Sequence, residues 1–571
     1  MTNREIAAAF DQVADLLEFQ NANPFRVRAY RNGARVLKDY SASLELVART
    51  DPAALLDIEG VGKDLAEKIT TLVTTGELPQ LTELQAAIPT GVLALLRVPG
   101  LGPKRAAILH KELGIQSLDM LKAACESQQV RGIKGFGAKT EETILAGIAI
   151  AATADQRMRW AEADVIVQQL LAHFRVCDAV RQIEAAGSYR RGKETIGDLD
   201  LLVDASDSEA VMTHFALFPG ITAVLARGET KMSVRLDTNL QVDLRVVPTE
   251  SFGAALQYFT GSKEHNVVLR GRAKDKGFKL NEWGVFRVKN ADDEGEYVAG
   301  KAEADVYAAL GLPNIPPELR EARREYELAA AGPLPRLIEV GDLRGDLHMH
   351  TTATDGTASI REMIAAAQAR GLSYIAITDH SQRVSMARGL TPERLREQWQ
   401  EIDRLRPEFP GFTLLKGIEC DILEAGGMDL PDEVLAEADW VIASLHYGQN
   451  QPAAKIMERL LGAIANPHVD IVAHPTGRLI NRREPYAVDV PELIAAAAEH
   501  GKLLELNANP MRLDLDDVHS ALAKERGVKI VISSDAHSPD GMDVLRYGIL
   551  QARRAGLTKD DVLNTRAWPF V

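Results

Sequence analysis

The sequence predicts a multidomain α/β protein with helical N-terminal domains, a central domain built on a carboxylate-bearing sheet, and a C-terminal domain whose seven strands form a parallel α/β sheet or barrel. Three observations predict this organisation. A glycine–apolar–glycine pattern recurs three times between helical segments in the first 150 residues. Two aspartates alternate along an apolar strand near residue 200. Beyond residue 341, short apolar strands alternate with amphipathic helices, which is typical of a parallel sheet or barrel.

The composition is that of a globular protein, and it limits the ways in which the chain can bind a partner. The 571 residues suffice for three or more domains, each with its own core. The net charge is −15, and acidic side chains outnumber basic ones both before and after residue 341. Contact with nucleic acid must therefore be local and must depend largely on backbone N–H groups.

Cysteine usage and hydropathy predict where the protein works. The three cysteines are widely spaced and match no metal-binding pattern, which favours a reducing cytoplasm. No apolar run reaches the ~18 residues that a membrane span needs, and the N-terminus shows no signal peptide. We therefore expect a soluble, intracellular protein.

The three glycine patterns lie in residues 55–69, 95–109 and 130–145, and a short helix follows each of them. The glycine pairs are Gly60 and Gly62, Gly100 and Gly102, and Gly135 and Gly137. Such a turn brings its N–H groups against a backbone phosphate, with the N-terminus of the second helix behind it. The pattern is that of the helix-hairpin-helix motif, which grips DNA without reading its sequence. The motif also implies a monovalent cation at the turn; a plain helix break is the alternative.

Paired carboxylates lie within residues 187–203, the stretch around which the central domain is organised. Asp198 and Asp200 alternate on a strand, so both carboxylates face the same space. Asp243 adds a third carboxylate on another apolar strand, some forty residues later. Carboxylate oxygens held side by side suit a hard cation such as Mg²⁺.

The turn ahead of these carboxylates has the features of a phosphate cradle. Gly187 and Ser188 offer backbone N–H groups and a hydroxyl, and Arg190 and Arg191 add two guanidinium groups. Together with the three carboxylates, the cradle predicts a two-metal phosphoryl-transfer site that uses Mg²⁺ or Mn²⁺. The alternative is an acidic surface strand, and the co-occurrence of glycine, arginine and carboxylate argues against it.

The order of these residues, followed by YFTGS at residues 258–262, resembles the nucleotidyltransferase palm of the DNA polymerase X family. The resemblance implies that Asp198, Asp200 and Asp243 bind the catalytic metals, with Asp243 activating the primer 3′-hydroxyl. It also implies that a phosphate turn, an aromatic and Gly-Ser segment and a base-contacting asparagine bind the incoming dNTP. These residues are Gly187, Ser188, Arg191, Tyr258, Phe259, Gly261, Ser262 and Asn266.

Two positions depart from the pattern of the vertebrate repair polymerases in this family. Gln241 stands where they carry an arginine beside the third aspartate, and Lys263 stands where they carry an acid. Lys263 either adds a contact to the triphosphate or the base, or it faces solvent. We include Lys263 among the candidate substrate-binding residues.

The first hairpin copy carries a further prediction. Lys68 lies one turn into its second helix, where the polymerase X family places the lysine that forms a Schiff base with an abasic sugar phosphate. Such a nucleophile needs a depressed pKa. By the same resemblance, Arg26, Tyr30 and Arg31 bind a 5′-phosphate. The alternative is an exposed helix lysine without a chemical role.

From residue 341 the sequence predicts seven strands, at residues 345–350, 374–380, 413–421, 440–446, 470–474, 503–507 and 529–537. Six of the seven end in residues of metal-binding type, and a further aspartate follows the first strand. Active sites of parallel barrels lie at the carboxyl ends of the strands, so these side chains should converge. They are His348, His350, Asp355, His380, Glu419, His446, His474, Asp535 and His537.

These nine residues and their spacing closely resemble the PHP phosphoesterase family, in which up to three Zn²⁺ or Mn²⁺ ions are bound on a distorted barrel. The resemblance implies three ligand sets: His348, His350, Glu419 and Asp535; Glu419, His446 and His474; and Asp355, His380 and His537. Aspartate at position 355 replaces the histidine of some PHP enzymes. A harder carboxylate ligand there favours Mn²⁺ over Zn²⁺.

The whole chain thus resembles a bacterial family X DNA polymerase with a C-terminal PHP domain. The predicted parts are a lyase-like helix-hairpin-helix domain (1–85), fingers (86–152), palm (153–250), thumb (251–317), a linker (318–340) and the PHP barrel (341–571). We expect a monomer in the cytoplasm, associated with the nucleoid. Its expected substrates are dNTPs and gapped or primer-template DNA.

The expected function is DNA repair synthesis in short gaps, with metal-dependent 3′→5′ exonuclease activity in the barrel and action at abasic sites. Three alternatives stay open from the sequence: a nucleotidyltransferase with another substrate, a barrel that hydrolyses a small phosphomonoester, and a barrel that is only a metal-stabilised scaffold. The hairpin repeats and the YFTGS segment count against the first. The full ligand set counts against the last.

Overall fold

The computed structural model describes residues 3–20, 22–38, 40, 44–58, 60–75, 78–87, 95, 98, 101, 103–153, 157–289 and 295–570. The chain divides into two compact units, Met1–Gln156 and Arg157–Val571. Among the described residues, no helix combines the length and the apolar character that crossing a membrane requires.

The first unit is helical, as the sequence predicts. Its described α-helices are Asn3–Phe19, Pro24–Lys38, Leu44–Thr50, Lys63–Thr75, Pro79–Ala87, Pro103–Leu113, Leu118–Glu126 and Ala138–Thr153. In the first helix Ile6, Phe10, Val13 and Leu17 recur at helical spacing and are buried, so one face of the helix enters the core. The basic and aromatic stretch after residue 23 lies on a helix of its own, Pro24–Lys38, which packs against the first.

The palm, predicted over residues 153–250, contains a five-stranded sheet, and all five strands lie within the described range 157–289. The strand order is Val180–Ala185, Asp198–Ala205, Gln241–Val247, Lys231–Leu236 and Ile221–Arg227. The second and third strands in this order are parallel, and the other neighbours are antiparallel. The helices Trp160–Phe174 and Ser208–Ala216 contribute to the core of this sheet.

The apolar periodicity of residues 155–185 predicts one amphipathic helix before the palm turn, and the structure differs from this prediction. The helix spans Trp160–Phe174, and the end of the segment forms the edge strand Val180–Ala185. That strand pairs along Asp198–Ala205, so a tertiary partner decides its conformation.

The predicted thumb and linker form a continuous structure on the palm. The thumb helices are Phe252–Thr260, Lys263–Asp275 and Glu303–Ala309, and its antiparallel strands are Phe278–Asn281, Gly284–Arg287 and Glu296–Ala299. The linker contains a 3₁₀ turn, Pro317–Leu319, and a short helix, Glu325–Ala331. Arg320, Glu321 and Glu325 in this segment are buried, so part of the linker belongs to the folded interior.

The predicted seven-stranded parallel barrel is confirmed within residues 341–570, which the structure describes throughout. In sheet order its strands are Gly345–Asp346, Tyr374–Ile377, Thr413–Asp421, Trp440–Ser444, Ile471–Val472, Leu503–Asn507 and Ile530–Ser533. A bridge between Met349 and Ala536 brings the first and last strands together, so the barrel is nearly closed. Its helices are Ile360–Ala369, Pro392–Leu405, Asp432–Leu435, Ala453–Ala465, Val490–His500, Asp517–Glu525 and Leu545–Arg554.

Alternating residues of the barrel strands enter two different cores. Ile375 and Ile377 join the larger cluster with the surrounding helices, whereas Tyr374 and Ala376 join a second cluster with side chains of other strands. Burial on both faces explains why these strands read as continuous apolar runs. The predicted metal-binding residues lie where these apolar strands end.

Candidate active sites in the palm and the barrel

The three predicted palm carboxylates lie together near the first residues of two neighbouring inner strands of the sheet. Asp198 and Asp200 are the first and third residues of their strand, and Asp200 is directly opposite Asp243 on the parallel neighbour. Burial raises the pKa of Asp200, and the charges of Asp198 and Asp243 raise it further, to about 7. Such mutual repulsion is relieved by a cation, so the donor set fits a divalent metal.

The glycine turn lies against one of these carboxylates. Gly187 has a φ of +62°, and a Cβ on it would lie 2.6 Å from Asp200 Oδ2. The backbone N–H of Ala186 donates to the carbonyl of Asp200 at 2.8 Å. The turn and the carboxylates therefore form one compact site, with Ser188 half-buried beside them. Only glycine meets both the backbone conformation and the space.

The two arginines of the predicted cradle have different surroundings. Arg190 forms a bidentate pair with Glu303 at 2.8 and 2.9 Å and also donates to Thr260 Oγ1. Arg191 donates from Nε to Glu321 at 3.1 Å and from Nη1 to the carbonyl of Thr260. Among the described residues, the third guanidinium nitrogen of Arg191, Nη2, has no hydrogen-bond partner. Arg190 is thus occupied by its contacts with Glu303 and Thr260, whereas Arg191 retains one N–H donor for a ligand.

The predicted nucleotide-binding segment adjoins the cradle. Tyr258 and Phe259 end the helix Phe252–Thr260, and Gly261 lies so close to Arg191 that a Cβ would be 3.2 Å from Nη1. Ser262 caps the next helix by accepting a hydrogen bond from the backbone N–H of His265.

The two polar residues beyond this turn differ in exposure. Lys263 is exposed to solvent. The amide of Asn266 is buried and bonds to the Gln257 side chain and to the carbonyl of Tyr258, each at 2.7 Å. A base contact by Asn266 stays a prediction that would require this amide to exchange partners.

The barrel brings all nine predicted ligands to the carboxyl ends of its strands. Three groups have potential ligand atoms within 4.8 Å of one another. The groups are His350, Asp355, His380 and His537; His348, His350 and Asp535; and His380, Glu419 and His446. His474 lies beside them, with Nε2 3.0 Å from Glu419 Oε1. These clusters indicate metal sites. His350 and His380 each belong to two of the observed groups, whereas the family resemblance places each of them in a single ligand set.

Unsatisfied polar atoms support metal binding in the barrel. In the described part of the chain, both ring nitrogens of His350 and Nε2 of His348 are buried without a hydrogen-bond partner, and His380 Nδ1 and Glu419 Oε2 lie 2.7 Å apart without the geometry of a hydrogen bond. Burial raises the pKa of Glu419, but the neighbouring imidazoles of His380, His446 and His348 lower it well below its usual range. Buried donor atoms that converge without mutual hydrogen bonds are the atoms that a cation would satisfy.

Sequence reasoning missed the residues that orient these ligands. Glu505 accepts from His348 Nδ1 and from the backbone N–H of His474, both at 2.7 Å. Asp421 lies 3.1 Å from His446 Nδ1. Carboxylates that bind the second nitrogen of a histidine ligand fix its tautomer and orientation. A signal existed, because Glu505 lies between the apolar residues Leu504 and Leu506 in the strand Leu503–Asn507.

The hairpin turns of the first unit repeat the same backbone geometry in the first and third copies. Gly60 and Gly135 have φ values of +91° and +92°. In each copy the residue after this glycine donates to the carbonyl three residues back, Val61 to Ile58 and Phe136 to Ile133, at 2.9 Å. No described atom lies within 4 Å of a Cβ placed on Gly62, Gly135 or Gly137. Gly100 and Gly102, the predicted second pair, lie outside the described residues.

The surroundings of Lys68, the predicted lyase nucleophile, favour its protonated form. Lys68 forms an ion pair with Asp64, and its ammonium lies 5.5 Å from the centre of the Tyr30 ring. Burial lowers the pKa of Lys68, but the contacts to Asp64 and Tyr30 raise it above its usual value. This direction is opposite to the depressed pKa that a Schiff-base nucleophile needs.

The predicted 5′-phosphate ligands are divided between solvent and protein contacts. Arg26 is exposed. Tyr30 is buried and its hydroxyl donates to Gln80 at 2.6 Å. Arg31 pairs with Asp15 and other acids of the first helix. Of the three, Arg26 is the one whose side chain faces solvent rather than protein partners.

Comparison with known protein families covers most of the chain. The matches are a helix-hairpin-helix domain (residues 1–78), a SAM-like helix-hairpin-helix tandem (92–149), a DNA polymerase beta palm (157–252), a DNA polymerase beta thumb (255–321) and a PHP domain (346–509). These matches define the class of protein: a polymerase-beta-type palm and thumb joined to helix-hairpin-helix domains and a PHP domain.

Individual relatives narrow the class. The DNA polymerase/3′-5′ exonuclease PolX of Bacillus subtilis is 42% identical over 99% of this chain and 98% of its own length. A probable phosphatase of Thermoanaerobacter sp. is 33% identical over 38% of this chain and 89% of its own length. DNA polymerase lambda of Rattus norvegicus is 28% identical over 46% of this chain and 48% of its own length. The chain therefore belongs to the bacterial PolX family, the family X DNA polymerases with a C-terminal PHP domain.

Proposed function

We propose that this chain extends primer 3′-ends in short DNA gaps and trims 3′-ends with its barrel. The observation that carries the synthetic half is the juxtaposition of Asp198, Asp200 and Asp243 beside the Gly187 turn. The Bacillus subtilis relative, named as a polymerase and exonuclease, matches both halves of the chain.

In the palm, each group has a proposed role that its position supports. The three aspartates would hold Mg²⁺ or Mn²⁺, which supplies charge neutralisation and Lewis-acid polarisation of a phosphoryl oxygen. Asp243 would accept the proton of the primer 3′-hydroxyl. Arg191 Nη2 and the Ser188 hydroxyl would bind the triphosphate, and Tyr258 and Phe259 would contact the sugar. Lys263, which is exposed near the turn, would add a positive charge for the triphosphate.

In the barrel, the nine ligands would hold up to three Mn²⁺ or Zn²⁺ ions. Bound cations there would neutralise the charge of a phosphodiester. Glu505 and Asp421 would orient the histidines His348 and His446. The donor set, with imidazoles and carboxylates mixed, suits either ion.

The N-terminal unit would hold the DNA backbone. The space in front of Gly62, Gly135 and Gly137 leaves room for a phosphate group near backbone N–H groups. A monovalent cation at these turns would mediate such contacts. Lyase chemistry at Lys68 would first require release from Asp64, so in the DNA-free protein we assign Lys68 to an ion pair.

A one-nucleotide-gapped duplex with a 5′-labelled primer tests the assignment. With Mn²⁺, Asp198→Ala/Asp200→Ala should lose extension and keep primer shortening, and His348→Ala/His350→Ala should do the reverse. Asp237→Ala and His500→Ala, which remove exposed residues outside both clusters, should change neither activity. Extension that survives loss of both palm aspartates would refute the synthetic assignment.

A second function for the barrel is hydrolysis of a small phosphomonoester, and the match to probable phosphatases favours including it. The same His348→Ala/His350→Ala variant separates the two. If that variant shortens primers normally but no longer hydrolyses a nucleoside monophosphate, the barrel is a phosphatase rather than an exonuclease.

A further inference from the structure

One helix of the barrel packs against the phosphate turn of the palm. In the helix Leu545–Arg554, three side chains at a spacing of four residues contact the palm: Arg546, Leu550 and Arg554. Arg546 pairs at 3.0 Å with Asp164, which in turn accepts from the hydroxyl of Tyr189 at 2.6 Å. A Cβ on Gly192 would lie 2.6 Å from Leu550, so the turn and the helix are in close contact.

Arg554 contacts the cradle arginine itself. Its Nη1 donates to the backbone carbonyl of Arg191 at 2.7 Å and to Glu321 at 3.0 Å. Its Nη2 donates to Asp517 at 2.7 Å. The Arg554 side chain is only 2% exposed. A buried guanidinium with three defined acceptors is fixed in place, and it fixes the groups that it contacts.

Glu321 connects Arg554 to the side chain of Arg191. Its carboxylate accepts from Arg191 Nε at 3.1 Å and from Arg554, and it lies 3.3 Å from Lys193 Nζ. Burial raises the pKa of Glu321, but Arg554, Lys193 and Arg191 together lower it to about 2. Glu321 is therefore ionised at neutral pH and holds the guanidinium of Arg191 from one side, while the Thr260 carbonyl holds it from the other.

We propose that Arg554 of the barrel is a positioning residue for nucleotide binding in the palm. It holds the backbone of Arg191 directly and its side chain through Glu321, so that Nη2 stays directed to a triphosphate. The inference rests on the proposed role of Arg191 in binding the dNTP. Without Arg554, the Arg191 carbonyl and Glu321 each lose a buried donor, and Arg191 gains other orientations.

The test is steady-state extension on the gapped duplex with the full chain. Arg554→Met and Glu321→Gln should raise the dNTP KM about tenfold, while kcat changes less than about twofold. Arg554→Lys should recover part of the loss, because one ammonium can still reach one of the acceptors. Arg553→Met is the matched control. Arg553 is the preceding residue of the same helix and pairs with Glu318 rather than with the cradle, so its KM should not change.

The outcomes separate the inference from the proposed function. If Arg191→Gln leaves the dNTP KM unchanged, the nucleotide-binding role of Arg191 fails, and the inference fails with it. If Arg191→Gln raises KM but Arg554→Met and Glu321→Gln do not, the inference alone is overturned. Equal effects of Arg554→Met and Arg553→Met would also overturn it, because they would indicate general loosening of the helix. Thermal unfolding and primer shortening, measured for every variant, show whether the fold and the barrel are intact.

Discussion

At the scale of single residues, the palm site depends on a glycine that tolerates no substitution. Gly187 combines a φ of +62° with an approach to Asp200 that leaves no space for a Cβ. Gly277 has a similar φ of +77°, but no described atom lies within 4 Å of its Cβ position. The two glycines thus separate the cost of backbone conformation from the cost of displacing a carboxylate.

Gly187→Ala should lower both stability and synthesis, whereas Gly277→Ala should lower stability alone. Gly277→Ala should lower the free energy of unfolding by about 1 kcal/mol, the cost of placing an alanine in the left-handed region, and Gly187→Ala should lower it by at least as much because its methyl group also displaces the Asp200 carboxylate. Only Gly187→Ala should reduce extension, by about 100-fold, because it moves Asp200 away from its metal-binding position. Chemical denaturation and gap-filling assays measure the two effects. Equal activity of both variants would show that the turn accommodates the methyl group.

At the scale of elements, ion pairs connect the phosphate turn to the thumb helix Glu303–Ala309 and to the segment that follows it. Glu303, on this helix, binds Arg190 of the turn and Arg320 of the following segment, the latter at 2.5 Å. Arg320 is fully buried. Burial raises the pKa of Glu303, but Arg320 and Arg190 lower it to about 2, so the carboxylate is charged across the neutral range. An intact buried ion pair changes the free energy of unfolding little, whereas removal of one partner lowers it strongly because the other charge stays buried without a partner.

Glu303→Gln should destabilise the protein in a pH-dependent manner. Because the folded-state pKa of Glu303 lies below its unfolded value of 4.5, its contribution is complete above pH 4.5 and is lost as the pH falls through about 2. At pH 7 the variant should lose about 3 kcal/mol of unfolding free energy, and the difference from wild type should shrink between pH 4.5 and 2. Thermal unfolding across this range is the measurement. Asp305→Asn, an exposed change on the same helix, should cause little loss; a pH-independent effect of Glu303→Gln would contradict the assignment.

At the scale of the whole molecule, the palm, thumb and barrel belong to one compact unit, Arg157–Val571. Two buried arginines of the barrel form ion pairs with acidic residues outside the barrel. Arg478, 4% exposed, pairs with Glu194 of the palm at 2.8 Å, and Arg554 pairs with Glu321, which precedes the barrel. A polymerase half and a hydrolase half that share buried ion pairs are not independent modules.

A fragment of residues 157–571 should therefore keep its stability, and a fragment of residues 341–571 should melt at a lower temperature. The shorter fragment exposes Leu550 and loses Glu194 and Glu321, which pair with Arg478 and Arg554 from outside the barrel. Arg478→Met should lower the melting temperature more in the longer fragment than in the shorter, because only the longer one contains Glu194. Differential scanning calorimetry provides the comparison. Equal melting temperatures for the two fragments would mean that the barrel does not depend on the palm.

Much of both sites followed from local sequence. The alternation of Asp198 and Asp200 on an apolar strand, and the metal-type residues at the ends of the barrel strands, predicted groups that the structure does bring together. Such patterns are readable because a strand has a fixed period and a parallel barrel has one chemically active end. The strand over Val180–Ala185 was not readable in this way, because its conformation depends on a neighbour in the sheet.

The sequence by itself determined the fold class, the family and the identity of the chemical groups, because spacing along a strand or turn is a local property. The tertiary structure alone decided which groups hold the catalytic ones in place. Glu303 binds Arg190 from 113 positions away, Glu505 binds His348 from 157, and Arg554 reaches Arg191 from 363. No local period links such residues. Their contacts arise when separate elements pack and buried charges must find partners, and that requirement is met only in the folded molecule.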